Sequence, residues 1–369
     1  MAGPKNLPGF PGLNTRFDHM SKLKVVLVGC GGFARNYLPI YRNLPDVECL
    51  LCVDANLAAA QSMRETLGAT YADDQFQAAV EADADYAVIS TPNHLHTSQA
   101  SALLESGKSV LLQKPMAPTL ADASRLHELC QSLDGVQLGM YMSMLDFPFW
   151  WHLREAMRTR DIVGNVTQVS MRLGHTGGLA WSNEKNPLWR FSREKTGGGA
   201  FIMLGVHYLH FVRWLLGLRI IRVCAQTENL HCPRIEGEDI CQIQAELDHG
   251  IMLQLSVAWN SQGEHFAVYG TKGSVVYLDN ELLRIHGAES WSMEGIDYST
   301  PVAWQNFTLT PPRLDDAANS FNQHLQFARA LKEKKPFPVP ATEGLLDMQI
   351  TDAVYRSAAS HQWEDVPNV

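Results

Sequence analysis

KVVLVGCGGFA, residues Lys24 to Ala34, passes from an unbroken apolar run into three closely spaced glycines and then into a segment of helical texture. A continuous rather than alternating apolar run marks a strand covered on both faces, as in a parallel sheet. Gly29-Cys30-Gly31-Gly32-Phe33-Ala34 fits G-x-G-x-x-G/A at the place where the pattern has mechanical meaning, between strand and helix. Gly29 permits a tight turn, Gly31 leaves room for a pyrophosphate beside the helix start, and Ala34 lets helix and sheet approach. Helix amides and the helix dipole can then meet phosphates without a side-chain cation.

Similar runs follow: VECLLCVD (47–54), DYAVIST (85–91), SVLLQ (109–113) and VQLGM (136–140) read as strands, with helices near 32–43, 56–67, 94–106 and 119–133. Residues 22–145 therefore read as a doubly wound α/β unit with a parallel sheet. Asp54 closes the second strand, twenty residues past Ala34, where an acid can accept both ribose hydroxyls. A carboxylate there repels a 2′-phosphate, and Ala55 and Asn56 add no cation, so NAD is preferred over NADP. The alternative is that Asp54 caps the next helix.

The whole chain has 369 residues, 46% of them apolar, with 30 Lys plus Arg against 39 Asp plus Glu. The net charge of −9 and the lack of any basic block argue against nucleic acid or an anionic membrane as partner. Seven cysteines without staple spacing read as free thiols in a reducing, cytoplasmic setting. No uninterrupted apolar run approaches the roughly 18 residues needed to cross a bilayer. Residues 1–21, rich in Gly, Pro and Asn, read as a flexible tail.

After a helix from about 147 to 160 the texture changes. VTQVSMRLG, IIRVCAQTENL, ICQIQAEL, IMLQLSVAW, HFAVYG and SVVYL are partly alternating and joined by short turns, which predicts a large, mostly antiparallel open sheet in a second α/β domain, 146–340. Closing helices are expected at about 315–333 and 342–361. The unit 341–369 is expected to pack back toward the first domain.

Three further stretches carry candidate chemistry. Thr91, Pro92, Asn93 and His96 follow the fourth strand and can border a nicotinamide ribose; two nearby histidines, His94 and His96, without a third ligand do not make a metal site. Gln113-Lys114-Pro115 ends the next strand, and the proline keeps Lys114 out of helical geometry, so its ammonium can enter a cleft as a proton donor or acceptor. GGGAFIMLGVHYLHFVRWLLG, Gly197 to Gly217, places Met203, His207, His210 and Trp214 on one side of a helix. Its glycines permit close backbone approach, to substrate or cofactor; the competing reading is a buried helix with His207 and His210 hydrogen-bonded internally. Upstream, Trp181 and Trp189 could cover a sugar face while Asn183 and Arg190 meet polar groups; a packing role for both indoles is the competing reading.

In these residues the chain resembles the glucose-fructose oxidoreductase, inositol dehydrogenase and rhizopine-catabolism superfamily, Gfo/Idh/MocA. The ordered series VGCGGFA, CVDA, STPNHLHTSQA, SVLLQKPMA, GGGAFIMLGVHYLHFVRWLLG and FNQHLQFARALKEKKPFPVPATEG carries the likeness from about 22 to 361. The resemblance implies a Rossmann-type NAD-binding domain, a C-terminal α/β domain with an open sheet used for oligomerisation, and action on sugars, polyols and related carbonyls. It assigns Gly29, Gly31 and Ala34, with Gly32 and Phe33, to the phosphate loop, Asp54 to the ribose, and Thr91, Pro92, Asn93, His96 and Gln113 to the cofactor edge. Lys114 matches the lysine of the family's Glu-Lys-Pro, and His207 the histidine of its Asp-x-x-x-His; these two are the expected catalytic residues. His210, Trp181, Trp189, Arg190 and Asn183 are expected at the substrate. The departures are Gln113 for the usual Glu, Met203 for a frequent Asp, His210 for another, and no Arg after the strand near 140.

The resulting expectation is an NAD-dependent oxidoreductase of a sugar, glycoside or polyol, metal-free and homodimeric or homotetrameric. Two other readings stay open: glycoside cleavage through transient C3 oxidation and elimination, and a non-catalytic NAD-binding sensor or assembly protein. Either Lys114 handles the proton while the histidines position hydroxyls, or His210 and solvent stand in for the missing acid.

Overall fold

The computed structural model describes residues 22–184, 188–279, 282–286, 291–293, 296–298, 305–308 and 316–367. The expected N-terminal tail lies outside the described residues. In the first half β1 (Leu23–Val28), α1 (Ala34–Tyr37), β2 (Val47–Val53), α2 (Leu57–Leu67), β3 (Tyr71–Asp73), α3 (Phe76–Glu81), β4 (Tyr86–Ile89), α4 (Asn93–Glu105), β5 (Ser109–Gln113), α5 (Leu120–Ser132) and β6 (Leu138–Tyr141) alternate as expected. Every neighbouring pair in the sheet order β3-β2-β1-β4-β5-β6 is parallel. Val25, Val26 and Leu27 are wholly buried because helices cover both faces. Strand order reverses between β1 and β4, which opens the crevice where such sheets bind ligands.

Local chemistry explains the boundaries. Asn56 caps α2 by accepting from Ala58 N at 3.1 Å, and Gly68 ends it at φ +70°. The helix expected at 32–43 is interrupted: α1 yields to a 3-10 turn, Leu38–Arg42, that carries Pro39 near its start. Short β3 and α3 leave no mark in the sequence pattern, since three and six residues are too few to establish a period.

The second half comprises α6 (Pro148–Arg160), β7 (Val166–Gly174), α7 (Gly177–Ser182), α8 (Arg193–Thr196), α9 (Val206–Leu216), β8 (Ile220–Glu228), β9 (Ile240–Leu247), β10 (Met252–Ala258), β11 (Gly263–Gly270), β12 (Ser274–Leu278) and β13 (Leu282–His286). There follow a two-stranded ribbon, β14 (Trp291–Met293) and β15 (Ile296–Tyr298), then β16 (Gln305–Thr308), α10 (Gln323–Lys332), α11 (Ala341–Ser360) and β17 (Glu364–Asp365). The sheet runs β16-β13-β12-β11-β7-β10-β9-β8-β17 and is mixed, since β7 and β10 pair in parallel while the other pairs are antiparallel. Along β10, Leu253, Leu255 and Val257 are buried against the helical layer, whereas Met252 and Gln254 are exposed. The open face holds a shallow depression of roughly 590 Å3 lined by Arg172, Gln242, Gln254 and Ser256 among others.

One boundary differs from expectation. The segment 323–340, assigned to the second domain, packs on the first: Phe327 meets Tyr86, His324 meets Tyr41, and a side chain at Gly139 would strike Phe327 and Phe337. α11 bridges both units, against α5 on one side and β8 and α9 on the other. The helical stretch Arg193–Leu216 is long and apolar enough by composition to cross a bilayer, contrary to the reading of uninterrupted runs, yet 67% of its apolar window is buried inside the fold.

Candidate active site

Gly29 follows β1 at φ +94°, and a Cβ there would lie 2.7 Å from the Ser90 carbonyl carbon after β4. Only glycine allows both the dihedral and this contact at the crevice. Gly31 and Gly32 differ: nothing stands within 4 Å of a Cβ at either, so the loop's outer side is free for a pyrophosphate. Asp54 Oδ2 accepts from Cys30 N at 2.8 Å and Oδ1 from Asn56 N at 2.8 Å, tying the ribose acid to the glycine loop while each oxygen keeps accepting capacity. Asn56, rather than Asp54, is the helix cap. Ala34 is buried under the sheet and Phe33 is 49% exposed at the rim. Loop, acid and open space fit a dinucleotide.

At the neighbouring strand ends, Thr91 Oγ1 lies 2.6 Å from Gln99 Oε1 and donates to it. Pro92 precedes α4, whose first residue Asn93 is buried and donates to Thr196 O at 2.9 Å and Met203 Sδ at 3.2 Å, joining the two domains. His96 corrects its assignment. It is fully buried between the carbonyls of Pro115 (2.7 Å) and Thr91 (2.9 Å), so it braces two loops and has no face for a cofactor. Burial lowers its pKa to about 4, which keeps the ring neutral and able to donate to one carbonyl at a time.

Gln113 is likewise turned inward, its amide donating to Tyr37 Oη at 3.3 Å and its carbonyl accepting from Lys114 N at 3.1 Å. An amide can do both, whereas a carboxylate could only accept. Tyr37 Oη donates to Ser90 Oγ at 2.5 Å, which carries the contact back to the glycine loop. Lys114, joined to Pro115 by a cis peptide, directs Nζ across the domain junction to Met203 O at 2.5 Å. Burial alone pulls its pKa down to about 8. With Gln113 and Met203 at positions where the family commonly has acids, no carboxylate stands beside that ammonium among the described residues.

The three glycines before α9 serve packing and not ligand approach. A side chain would strike the Pro118 carbonyl at Gly197, the Tyr355 hydroxyl at Gly198 and the Glu238 backbone at Gly199. Buried Glu238 accepts from Gly199 N at 3.0 Å, Phe201 N at 2.9 Å and Tyr355 Oη at 3.0 Å, supplying the cap that the glycines lack. A π-helical turn, Phe201–Gly205, then leads into α9 and presents the Met203 carbonyl to Lys114.

His207 lies near enough to Lys114 and His210 that their charges, after burial, push its pKa well below the ordinary value. Lys114 and neutral His207 thus share one site. His210 does not line a cleft: it is 2% exposed and faces Asp347 of α11 at 3.0 Å. That acid escaped the sequence reading because its partner is 137 positions away. Trp181, Trp189 and Arg190 do come together, with the Arg190 guanidinium 4.4 Å above the Trp181 ring and 5.9 Å from that of Trp189. Trp181 also packs edge-on against Trp259, so the cluster locks its loop. Asn183, exposed just past α7, donates its amide to Leu179 O at 3.0 Å.

A dinucleotide-binding loop with a partly buried lysine and imidazole nearby defines the class: an oxidoreductase with a Rossmann NAD-binding domain. The model of the oxidoreductase family's NAD-binding Rossmann fold matches residues 23–141, and that of the GFO/IDH/MocA C-terminal domain matches 150–276. The chain belongs to the Gfo/Idh/MocA family. It is 25% identical over 303 residues to D-apiose dehydrogenase of Paraburkholderia graminis, covering 80% of this chain and 74% of that protein. It is 24% identical over 317 residues to levoglucosan dehydrogenase of Pseudarthrobacter phenanthrenivorans, covering 76% and 80%. A solved levoglucosan dehydrogenase in complex with NADH and levoglucosan shares the fold at a TM-score of 0.81 with 18% identity, over 94% of this chain and 100% of that one.

Proposed function

We propose that this protein oxidises a CH–OH group of a sugar, glycoside or polyol with NAD, or runs the reverse reduction, with Lys114 as the proton-transfer residue. The observation that carries the reading is the Lys114 amine: partly buried at the domain junction, bonded to a backbone carbonyl, with no carboxylate beside it among the described residues and a pKa lowered to about 8, it can accept a hydroxyl proton near neutral pH. Bound NAD would supply the hydride acceptor, held by the Gly29–Ala34 loop and Asp54. Neutral His207 stands beside Lys114 as a hydrogen-bond acceptor for a hydroxyl. The substrate class is supported by relatives named for apiose and levoglucosan.

The test is incubation with NAD and a panel of sugars, glycosides and polyols deuterated at their carbinol carbons. Deuteride transfer to NAD supports the reading. Cleavage of a glycoside without net NADH marks the elimination route instead, and tight NAD binding with neither transfer nor exchange marks a non-catalytic sensor. We further propose a homodimer or homotetramer formed through the open sheet face, read by light scattering, and a cytoplasmic location, which the seven free cysteines support.

A further inference from the structure

Tyr37 closes α1, the helix that leaves the phosphate loop, and its hydroxyl lies between the ends of two strands. Gln113 of β5 stands 3.3 Å away on one side, and Ser90, just past β4, stands 2.5 Å away on the other. Tyr37 is 1% exposed and Gln113 8%, so neither turns to water for a partner. One backbone group sets the direction of every bond in this chain. Lys114 N can only donate, and it donates to Gln113 Oε1 at 3.1 Å, so the Gln113 amide nitrogen faces Tyr37. That nitrogen too can only donate, which makes Tyr37 Oη an acceptor on that side. The phenol keeps its proton, because burial pushes its pKa up to about 12, and gives it to Ser90 Oγ. Were Ser90 to donate instead, the buried phenol proton would be left without an acceptor. Ser90 Oγ thus accepts, and its own O–H is committed to no other group among the described residues. Ser90 is half-buried where the strand order reverses between β1 and β4, and its carbonyl carbon is the atom that a Cβ at Gly29 would meet at 2.7 Å.

We propose that Ser90 is a cofactor-binding residue which donates its hydroxyl proton to an oxygen of the bound dinucleotide, and that Gln113 is a positioning residue which makes Ser90 a donor through Tyr37. The residue at 113 sets the polarity of the chain. A glutamate there, usual in the family, accepts at both oxygens, one from Lys114 N and the other from the Tyr37 hydroxyl. Tyr37 Oη then accepts from Ser90, whose hydroxyl turns inward and leaves only lone pairs for the cofactor. Gln113 therefore serves the cofactor edge without touching the cofactor.

The experiment is calorimetric titration of NAD into the full-length wild type, Ser90→Ala, Gln113→Glu and the double variant, with melting curves to show that each is folded. Ser90→Ala weakens NAD binding roughly 5- to 10-fold, the worth of one hydrogen bond. Gln113→Glu weakens it by at least as much, since its carboxylate also repels the dinucleotide's phosphates. In the Gln113→Glu background the donor is already lost, so adding Ser90→Ala changes NAD affinity little. Wild-type NAD affinity in Ser90→Ala overturns the proposal, whether or not Gln113→Glu folds. An equal loss from Ser90→Ala in both backgrounds overturns the role of Gln113. The titration needs no sugar, so the reaction proposed above can fail on its substrate panel while this test stands, and a wild type that binds no NAD overturns both.

Discussion

The ammonium of Lys114, at the end of β5 in the nucleotide domain, donates to the carbonyl of Met203 in the π-helical turn of the second domain at 2.5 Å. One hydrogen bond thus spans the junction where cofactor and substrate are to meet. Its acceptor is a backbone oxygen with no formal charge, so burial is not offset by a carboxylate and the lysine is poised near neutrality.

Replacing Lys114 by Met removes the proton acceptor while keeping most of the side chain's length. Hydride transfer at saturating substrate falls roughly 100- to 10,000-fold, and NAD affinity measured by calorimetry is retained. The same variant is more stable at pH 7. Because the folded pKa of about 8 lies below the ordinary 10.5, the unfolded chain binds more protons between these values. Stability therefore rises with pH across that window, and below it the wild type bears the cost of a partly buried ammonium. Removal gains on the order of 1–2 kcal/mol after allowance for partial exposure and the lost bond to Met203. Thermal melts at pH 7 check this.

The rate of oxidation follows the neutral form of Lys114. It rises with pH to a plateau above about 8, since His207, held far below its ordinary value, adds no second limb near neutrality. A flat profile from pH 6 to 10 contradicts this assignment.

Met203→Asp restores the carboxylate beside Lys114 and stabilises the ammonium. The rising limb of the profile moves up by roughly one pH unit, and activity at pH 7 falls correspondingly. Absence of that shift in a folded variant argues against control of Lys114 by its missing counter-charge.

Gly29→Ala and Gly31→Ala separate the two demands on the phosphate loop. Gly29 has φ +94° and the Ser90 carbonyl carbon against it, so alanine destabilises the fold by on the order of 2 kcal/mol or more. Gly31 is open, so alanine leaves the melting temperature nearly unchanged and weakens NAD binding alone. Melts and NAD titration of the pair read the difference.

Glu238→Gln tests the cap of the π-helical turn. Its carboxylate takes two backbone amides and the Tyr355 hydroxyl, and the neutral amide leaves part of that set poorly satisfied at a cost of roughly 1–3 kcal/mol. Chemical denaturation measures the loss.

Much of the protein is legible along the chain because the causes are local. The buried runs at β1, β2, β4 and β5, the glycine spacing after Val28, the distance to Asp54 and the αL stop at Gly217 each depend on residues a few positions apart. Lys114 is readable too, since a lysine at the carboxyl edge of a parallel strand has one cleft to enter. The rest depends on what folding brings beside a residue. That Gly197, Gly198 and Gly199 face Pro118, Tyr355 and Glu238, that His96 is a brace, and that 323–340 joins the first domain all arise from long-range packing. The acid for His210 shows the reason most plainly. A hydrogen bond is set by a 3.0 Å separation in space, and 137 residues of intervening chain leave no periodic trace of it, so only the docking of α11 onto α9 decides that Asp347 is the partner.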